Sequence, residues 1–154
     1  MLKIVSENYE QTIKLGELLA SYLNKEDVVI LTGELGSGKT VLAKGIVKGY
    51  SGNEDIVRSP SYVYINTYKN DKIVHHIDFY LLDDYAEALD TGFEDLLEQE
   101  LCLIEWGEKF DQLKDKSFWR IILKYEGESK RSINILAPEE KEELLKEIDS
   151  KWQF

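Results

Sequence analysis

The sequence predicts one α/β domain, residues 1–154, in which helices cover a sheet of mixed parallel and antiparallel strands. A short β-branched run at 28–31 leads into a glycine-rich segment, and apolar residues at helical spacing follow it to residue 50. Further along the chain, polar turns join strand-like segments into two β-hairpins: 62–68 with 73–78, and 118–125 with 132–136. Strand, glycine loop and helix in this order predict a P-loop NTPase-type three-layer domain, and the hairpins make its sheet mixed.

The remaining elements follow from local signals. Residues 2–5 predict a strand. Asn8 and Gln11 have the spacing of a capping box, which predicts a helix over 9–24. Weak helical signals occur in 84–98, and a buried strand over 101–105 ends in a carboxylate. After Pro138 we expect a terminal helix whose apolar stripe packs on the core: Leu144, Ile148 and Trp152. Docking of a partner is the alternative for this stripe.

Composition narrows the class of protein. The formal net charge is −11, from 19 basic and 30 acidic residues, which argues against strong independent binding to nucleic acid. Cys102 is the single cysteine, so no internal disulfide can form. No run approaches the roughly 20 apolar residues that span a bilayer, and the first residues lack a signal peptide's apolar stretch. We therefore expect a cytoplasmic protein with no membrane contact.

The segment 33–40, GELGSGKT, fits the phosphate-binding pattern G-x-x-x-x-G-K-[ST] at every fixed position. Its glycines permit backbone angles at which successive N–H groups converge on one anion, and the helix that follows adds its positive end. Lys39 would reach the outer phosphates, and the Thr40 hydroxyl would ligate Mg²⁺. The plain alternative is a glycine-rich turn with a lysine on its rim.

Two carboxylates are candidates for metal placement or water activation. Glu105 ends an apolar strand, where a magnesium-binding acid is expected, and Asp78 ends the second strand of the first hairpin. The alternative for each is a solvated strand edge or a helix cap. Because neighbouring strand residues point to opposite faces, His75 and His76 cannot readily share a transition metal, and His76 is interpreted as a polar neighbour of the phosphate site.

Four segments occur in a fixed order: 33–40, 57–62 (VRSPSY), 76–80 (HIDFY) and 103–106 (LIEW). Together they closely resemble the TsaE (YjeE) family, and the similarity extends from about Thr12 to the last hairpin. The resemblance implies an ATPase that uses ATP/ADP and Mg²⁺. It also implies that the protein works with TsaD and TsaB in threonylcarbamoyladenosine modification of tRNA and supports turnover of that complex. Contact with tRNA would be indirect, through the complex.

The resemblance also assigns roles to residues. The catalytic set would be Lys39, Asp78 and Glu105, with Mg²⁺ on Thr40 and Glu105. Trp106 would support the site. A switch-like segment would comprise Ser59, Pro60 and Ser61, although an ordinary turn is the alternative there. Nucleotide contacts would come from Thr12, Glu34, Leu35, Gly36, Ser37, Gly38, Lys39, Thr40 and Val41. Val41 replaces a threonine that is common in the family, so a secondary contact to phosphate or metal stays undecided. Ser61 also replaces a usual threonine but keeps the hydroxyl.

Two other functions stay open at this stage. A small-molecule kinase would need an arginine-rich lid, but the chain has few arginines and no such lid is apparent. A binding switch would use nucleotide without needing hydrolysis.

Overall fold

The computed structural model describes residues 1–53, 57 and 63–153. Within these ranges seven strands form one sheet in the order β1-β7-β6-β2-β5-β4-β3. The strands are β1 Leu2–Ser6, β2 Val28–Thr32, β3 Ile65–Lys69, β4 Ile73–Asp78, β5 Leu101–Glu105, β6 Trp119–Tyr125 and β7 Arg131–Leu136. The α-helices are α1 Tyr9–Ala20, α2 Lys39–Ser51, α3 Tyr85–Asp90 and α4 Leu144–Lys151.

The centre of the sheet is parallel and its edges are antiparallel. Strand β2 runs parallel to both β5 and β6, and β4 runs parallel to β5. Strand β3 pairs antiparallel with β4, and β7 pairs antiparallel with both β6 and β1. Since parallel strands end at the same edge, the loop after β2 meets the ends of β4 and β5. The predicted mixed sheet is confirmed.

Alternating side chains of the central strands divide the core into two layers. Val29 and Leu31 of β2 pack with α1, α2 and α4, whereas Val28 and Ile30 pack with α3 and the segment after β5. Each of these side chains is buried, and burying one contributes about 1.5–3 kcal/mol. The result is the predicted arrangement of helices, sheet and helices.

Helices α1 and α2 touch backbone to backbone. A Cβ atom on Gly16 would lie 2.5 Å from the Leu42 carbonyl oxygen, and one on Gly45 would collide with the Ile13 carbonyl. Only glycine permits this approach. It fixes α2, and with it the loop that precedes α2, against the rest of the domain.

Several element boundaries differ from the predictions. Helix α1 has the predicted Asn8 cap but ends at Ala20, because the amide and hydroxyl of Ser21 both bond to the Leu18 carbonyl. Strand β3 begins at Ile65, since Tyr64 has left-handed backbone angles (φ 66°). The 84–98 segment forms α3 and a 3₁₀ turn over Phe93–Leu96.

The chain after Pro138 first makes a 3₁₀ turn, Glu139–Lys141, and then α4. Ile148 is fully buried and Trp152 packs on the same core, which confirms the predicted stripe. None of the helices in the described ranges has the length and apolarity that crossing a membrane would require.

Candidate active site

The glycine loop between β2 and α2 adopts the backbone that its sequence predicts. Gly36 and Gly38 have φ angles of 77° and 107°, in the left-handed region that favours glycine. Gly38 is the N-cap of α2, so the helix begins at Lys39 with its first amides directed back at the loop. This end of α2 is a ready anion-binding point.

Lys39 is buried although it is a lysine, with 4% of its surface exposed. Its Nζ donates to the Gly33 carbonyl at 2.5 Å and lies 3.8 Å from the centre of the Trp106 ring. Burial lowers the pKa of Lys39, and nearby carboxylates, Glu105 first, oppose that decrease. The ammonium is thus held inside the loop by a backbone oxygen and by negative charge.

The two candidate carboxylates lie side by side, since Asp78 and Glu105 are register partners on β4 and β5. Both are almost fully buried. Oε2 of Glu105 accepts from the Thr40 hydroxyl at 3.3 Å and lies 2.5 Å from Nε2 of His76. Oδ1 of Asp78 accepts from the Tyr80 amide at 2.8 Å. A hydroxyl and a carboxylate so placed are the hard oxygen ligands that Mg²⁺ requires, so these residues fit the ion.

The histidines separate as the alternation of the strand predicts. Nδ1 of His75 shares a hydrogen bond of 2.9 Å with the Thr67 hydroxyl, whereas His76 turns to Glu105. Within the described part of the chain, Nδ1 of His76 has no hydrogen-bond partner. The structure therefore places His76 beside Glu105, next to the glycine loop, and His75 on the other face against Thr67.

Trp106 follows Glu105 with left-handed backbone angles (φ 64°), an unusual conformation for a bulky residue. The turn brings its indole under Lys39 and against Tyr80, whose ring centre lies 5.1 Å away. Such a conformation costs of order 1–3 kcal/mol and persists where the surroundings enforce it. It gives the site a rigid aromatic wall.

These groups line a cavity of about 230 Å³ that contains Gly38, Lys39, Thr40, Asp78 and Glu105. A second cavity, about 480 Å³, lies on the other side of the loop, against Thr32, Trp106 and Glu108. Although the second cavity is larger and Glu108 lines it, the start of α2 and the side chains of Lys39, Asp78 and Glu105 line the first. We therefore place the candidate active site in the smaller cavity.

The other predicted contacts fall around this cavity. Glu34 and Leu35 are exposed at the tip of the loop, and Ser37 is buried beneath it. Val41 and Thr12 line an adjoining cavity of about 200 Å³, where the Thr12 hydroxyl lies 2.7 Å from that of Ser6. The predicted switch residues Ser59, Pro60 and Ser61 lie outside the described residues.

Sequence reasoning missed the second hairpin as part of the site. The Tyr125 hydroxyl donates to the Leu35 carbonyl at 3.0 Å. Nε of Arg131 donates to the Ser37 carbonyl at 3.0 Å, and its Nη2 to the Gly36 carbonyl at 3.4 Å. The arginine also stacks on the tyrosine ring, 4.5 Å from its centre. The β6–β7 hairpin thus hydrogen-bonds to three consecutive backbone carbonyls of the glycine loop, those of residues 35–37.

Together, the fold and the site define the class: a small P-loop α/β domain with two buried acids beside the lysine of its glycine loop. The family model described as "Threonylcarbamoyl adenosine biosynthesis protein TsaE" matches residues 6–133. The chain belongs to the TsaE family.

Relatives and a solved structure agree with this assignment. A TsaE protein of Rickettsia felis is 34% identical, over 92% of this chain and 84% of the relative. One of Bacillus subtilis is 33% identical, over 94% of this chain and 90% of the relative. Both are named tRNA threonylcarbamoyladenosine biosynthesis proteins. The crystal structure of Bacillus YdiB superposes with a TM-score of 0.79 at 28% identity, covering 97% of this chain and 94% of that one.

Proposed function

We propose that this protein is a Mg²⁺-dependent ATPase that acts with TsaD and TsaB in threonylcarbamoyladenosine modification of tRNA, where hydrolysis supports turnover of the modifying complex. The observation that carries the proposal is the convergence of Lys39, Thr40, Asp78 and Glu105 on one cavity at the start of α2. Family membership and the names of the relatives supply the link to tRNA modification.

The loop and Lys39 would bind the triphosphate. The first amides of α2 offer donors to phosphate oxygens, and the Lys39 ammonium would exchange its bond to the Gly33 carbonyl for one to a phosphate. Since burial has already removed much of the water around Lys39, its charge acts at full strength on a bound anion.

Thr40 and Glu105 would hold Mg²⁺, which supplies charge that neutralises the phosphoryl oxygens. His76 would keep the Glu105 carboxylate in place through its Nε2. Asp78, which the Tyr80 amide orients, would position the attacking water. Under this proposal, groups of the chain itself would bind the triphosphate, hold Mg²⁺ and orient the attacking water.

The experiment measures ATP hydrolysis with and without TsaB and TsaD, alongside tRNA modification by the same mixtures. We expect weak hydrolysis alone, stimulation by the partners, and modification that depends on this protein. Lys39→Met should abolish both activities. The surface variant Lys48→Met, which removes an exposed lysine paired with Glu17, should leave them unchanged. The proposal would be overturned if the hydrolysis rate were the same with and without TsaB and TsaD, and if tRNA modification were equal when this protein is omitted.

A further inference from the structure

Lys109, four residues after Glu105, binds the segment that follows Asp78. Its Nζ donates to three backbone carbonyls: Phe79 at 3.0 Å, Tyr80 at 2.8 Å and Leu82 at 2.7 Å. An ammonium group has three N–H donors, so every one of them has an acceptor in this segment. Such a convergence of carbonyls on one nitrogen fixes the local path of the chain.

One of these carbonyls belongs to the same peptide group that holds Asp78. In a trans peptide the C=O and N–H point in opposite directions. The Phe79 carbonyl faces Lys109, and the N–H of the same peptide, on Tyr80, donates to Oδ1 of Asp78 at 2.8 Å. The ammonium and the carboxylate therefore bind the two ends of one peptide. Polarisation by the ammonium strengthens the N–H donor, since hydrogen bonds in a chain reinforce one another.

Two further contacts join the same segments. The Phe79 amide donates to the Glu105 carbonyl at 3.1 Å, and the Tyr80 ring packs on Trp106. Lys109 adds a third contact between them: it belongs to the segment after Glu105 and bonds to the segment after Asp78. Besides the sheet, Lys109 is thus a second connection between the segments that carry the two acids.

We propose that Lys109 is a positioning residue for Asp78: through the peptide between Phe79 and Tyr80 it orients the carboxylate that acts in hydrolysis. This inference rests on the proposed ATPase function and extends it to a residue that the sequence motifs do not include. Because Lys109 is exposed, we expect Lys109→Met to leave the core intact.

The test compares Lys109→Met with Lys114→Met, which removes a neighbouring exposed lysine paired with Asp111. With TsaB and TsaD present, we expect Lys109→Met to lower kcat about fivefold, the size of effect that one net hydrogen bond between uncharged groups implies, with ADP affinity and KM within about twofold. Lys114→Met should match the wild type. Ammonium chloride should restore part of the rate of Lys109→Met, because an ammonium ion can bind the carbonyls of Phe79, Tyr80 and Leu82. Tetramethylammonium chloride should not, because its cation has no N–H donor.

A double variant separates positioning from general stabilisation. If Lys109 acts through Asp78, adding Lys109→Met to Asp78→Asn should leave the residual single-turnover rate unchanged. A further fivefold loss in the Asp78→Asn background, or an unchanged kcat in Lys109→Met alone, would overturn the inference. Should Lys109→Met fail to fold, Lys109→Arg is measured in the same way. Absence of hydrolysis in the wild-type complex would instead contradict the proposed function itself.

Discussion

The glycine loop is contacted on two flanks that differ in chemistry. The acidic flank comprises Asp78, Glu105 and His76 at the ends of β4 and β5. The hairpin flank comprises Tyr125 and Arg131, beside the turn between β6 and β7. The acidic flank contacts side chains at the start of α2: Glu105 accepts a hydrogen bond from the Thr40 hydroxyl and attracts the Lys39 ammonium. Those of the hairpin flank bond to carbonyls of the loop backbone, although Arg131 also lines the cavity that contains Lys39 and Thr40.

This difference separates two tasks. Under the proposed ATPase function, side chains that set the charge beside Lys39 and Thr40 should control the rate of hydrolysis. Side chains that bond to the loop backbone should control its shape, and therefore how tightly it binds nucleotide. Variants of the two flanks should accordingly affect different constants.

The largest effect is expected for Glu105→Gln on the acidic flank. It keeps the volume and removes the charge, so kcat should fall about 100-fold or more, while ADP binding in the absence of Mg²⁺ stays within about threefold. Stopped-flow hydrolysis and calorimetry measure the two quantities. Glu140→Gln, on an exposed 3₁₀ turn, is the matched control. A loss of ADP binding as large as the loss of rate would show that the carboxylate shapes the loop.

Arg131→Gln on the hairpin flank should act on affinity. It removes two bonds to the loop and the stacking on Tyr125, so the Kd for ADP should rise about tenfold while kcat stays within about twofold. Lys130→Gln makes the same change of charge one residue earlier and serves as the control. A fall in kcat with an unchanged Kd would contradict the division of the flanks.

Tyr125→Phe is a smaller change on the same flank, since it removes only the hydroxyl that binds the Leu35 carbonyl. Because this bond is exposed, the Kd for ADP should rise only about two- to fourfold. The same calorimetric titration measures it. A larger rise in Kd than that of Arg131→Gln would show that the tyrosine, rather than the arginine, mainly fixes the shape of the loop.

Glu108→Gln tests a group between the flanks through the dependence of stability on pH. Burial raises the pKa of Glu108 above its usual 4.5, with Lys39 and Thr32 opposing, so the folded chain binds this proton more tightly than the unfolded chain does. Its stabilising contribution is therefore complete below pH 4.5 and is lost as the pH rises through the raised value. Urea unfolding at several pH values should show wild type losing stability relative to Glu108→Gln over this interval. A constant difference would contradict the raised pKa.

The two acids of the acidic flank, and Lys39 and Thr40 beside them, could be predicted from the sequence, whereas the hairpin flank could not. Lys39 and Thr40 belong to a motif with fixed spacing, and Asp78 and Glu105 end recognisable apolar strands, so local patterns identify all four. The hairpin reaches the loop only because β6 pairs in parallel with β2, with Thr32 opposite Ile122. That pairing joins segments some 90 residues apart and leaves no local pattern. The role of Lys109 could not be predicted for a different reason: its acceptors are backbone carbonyls, which every sequence contains.

The most direct test of this division is kcat at saturating Mg²⁺-ATP, with TsaB and TsaD present, for Asp78→Asn beside Arg131→Gln. Asp78→Asn keeps the shape of the side chain and removes the charge from the acidic flank. We predict that its kcat falls about 100-fold or more, whereas kcat of Arg131→Gln stays within about twofold of the wild type. Equal losses in the two variants would contradict the account, because the two flanks would then serve the same task.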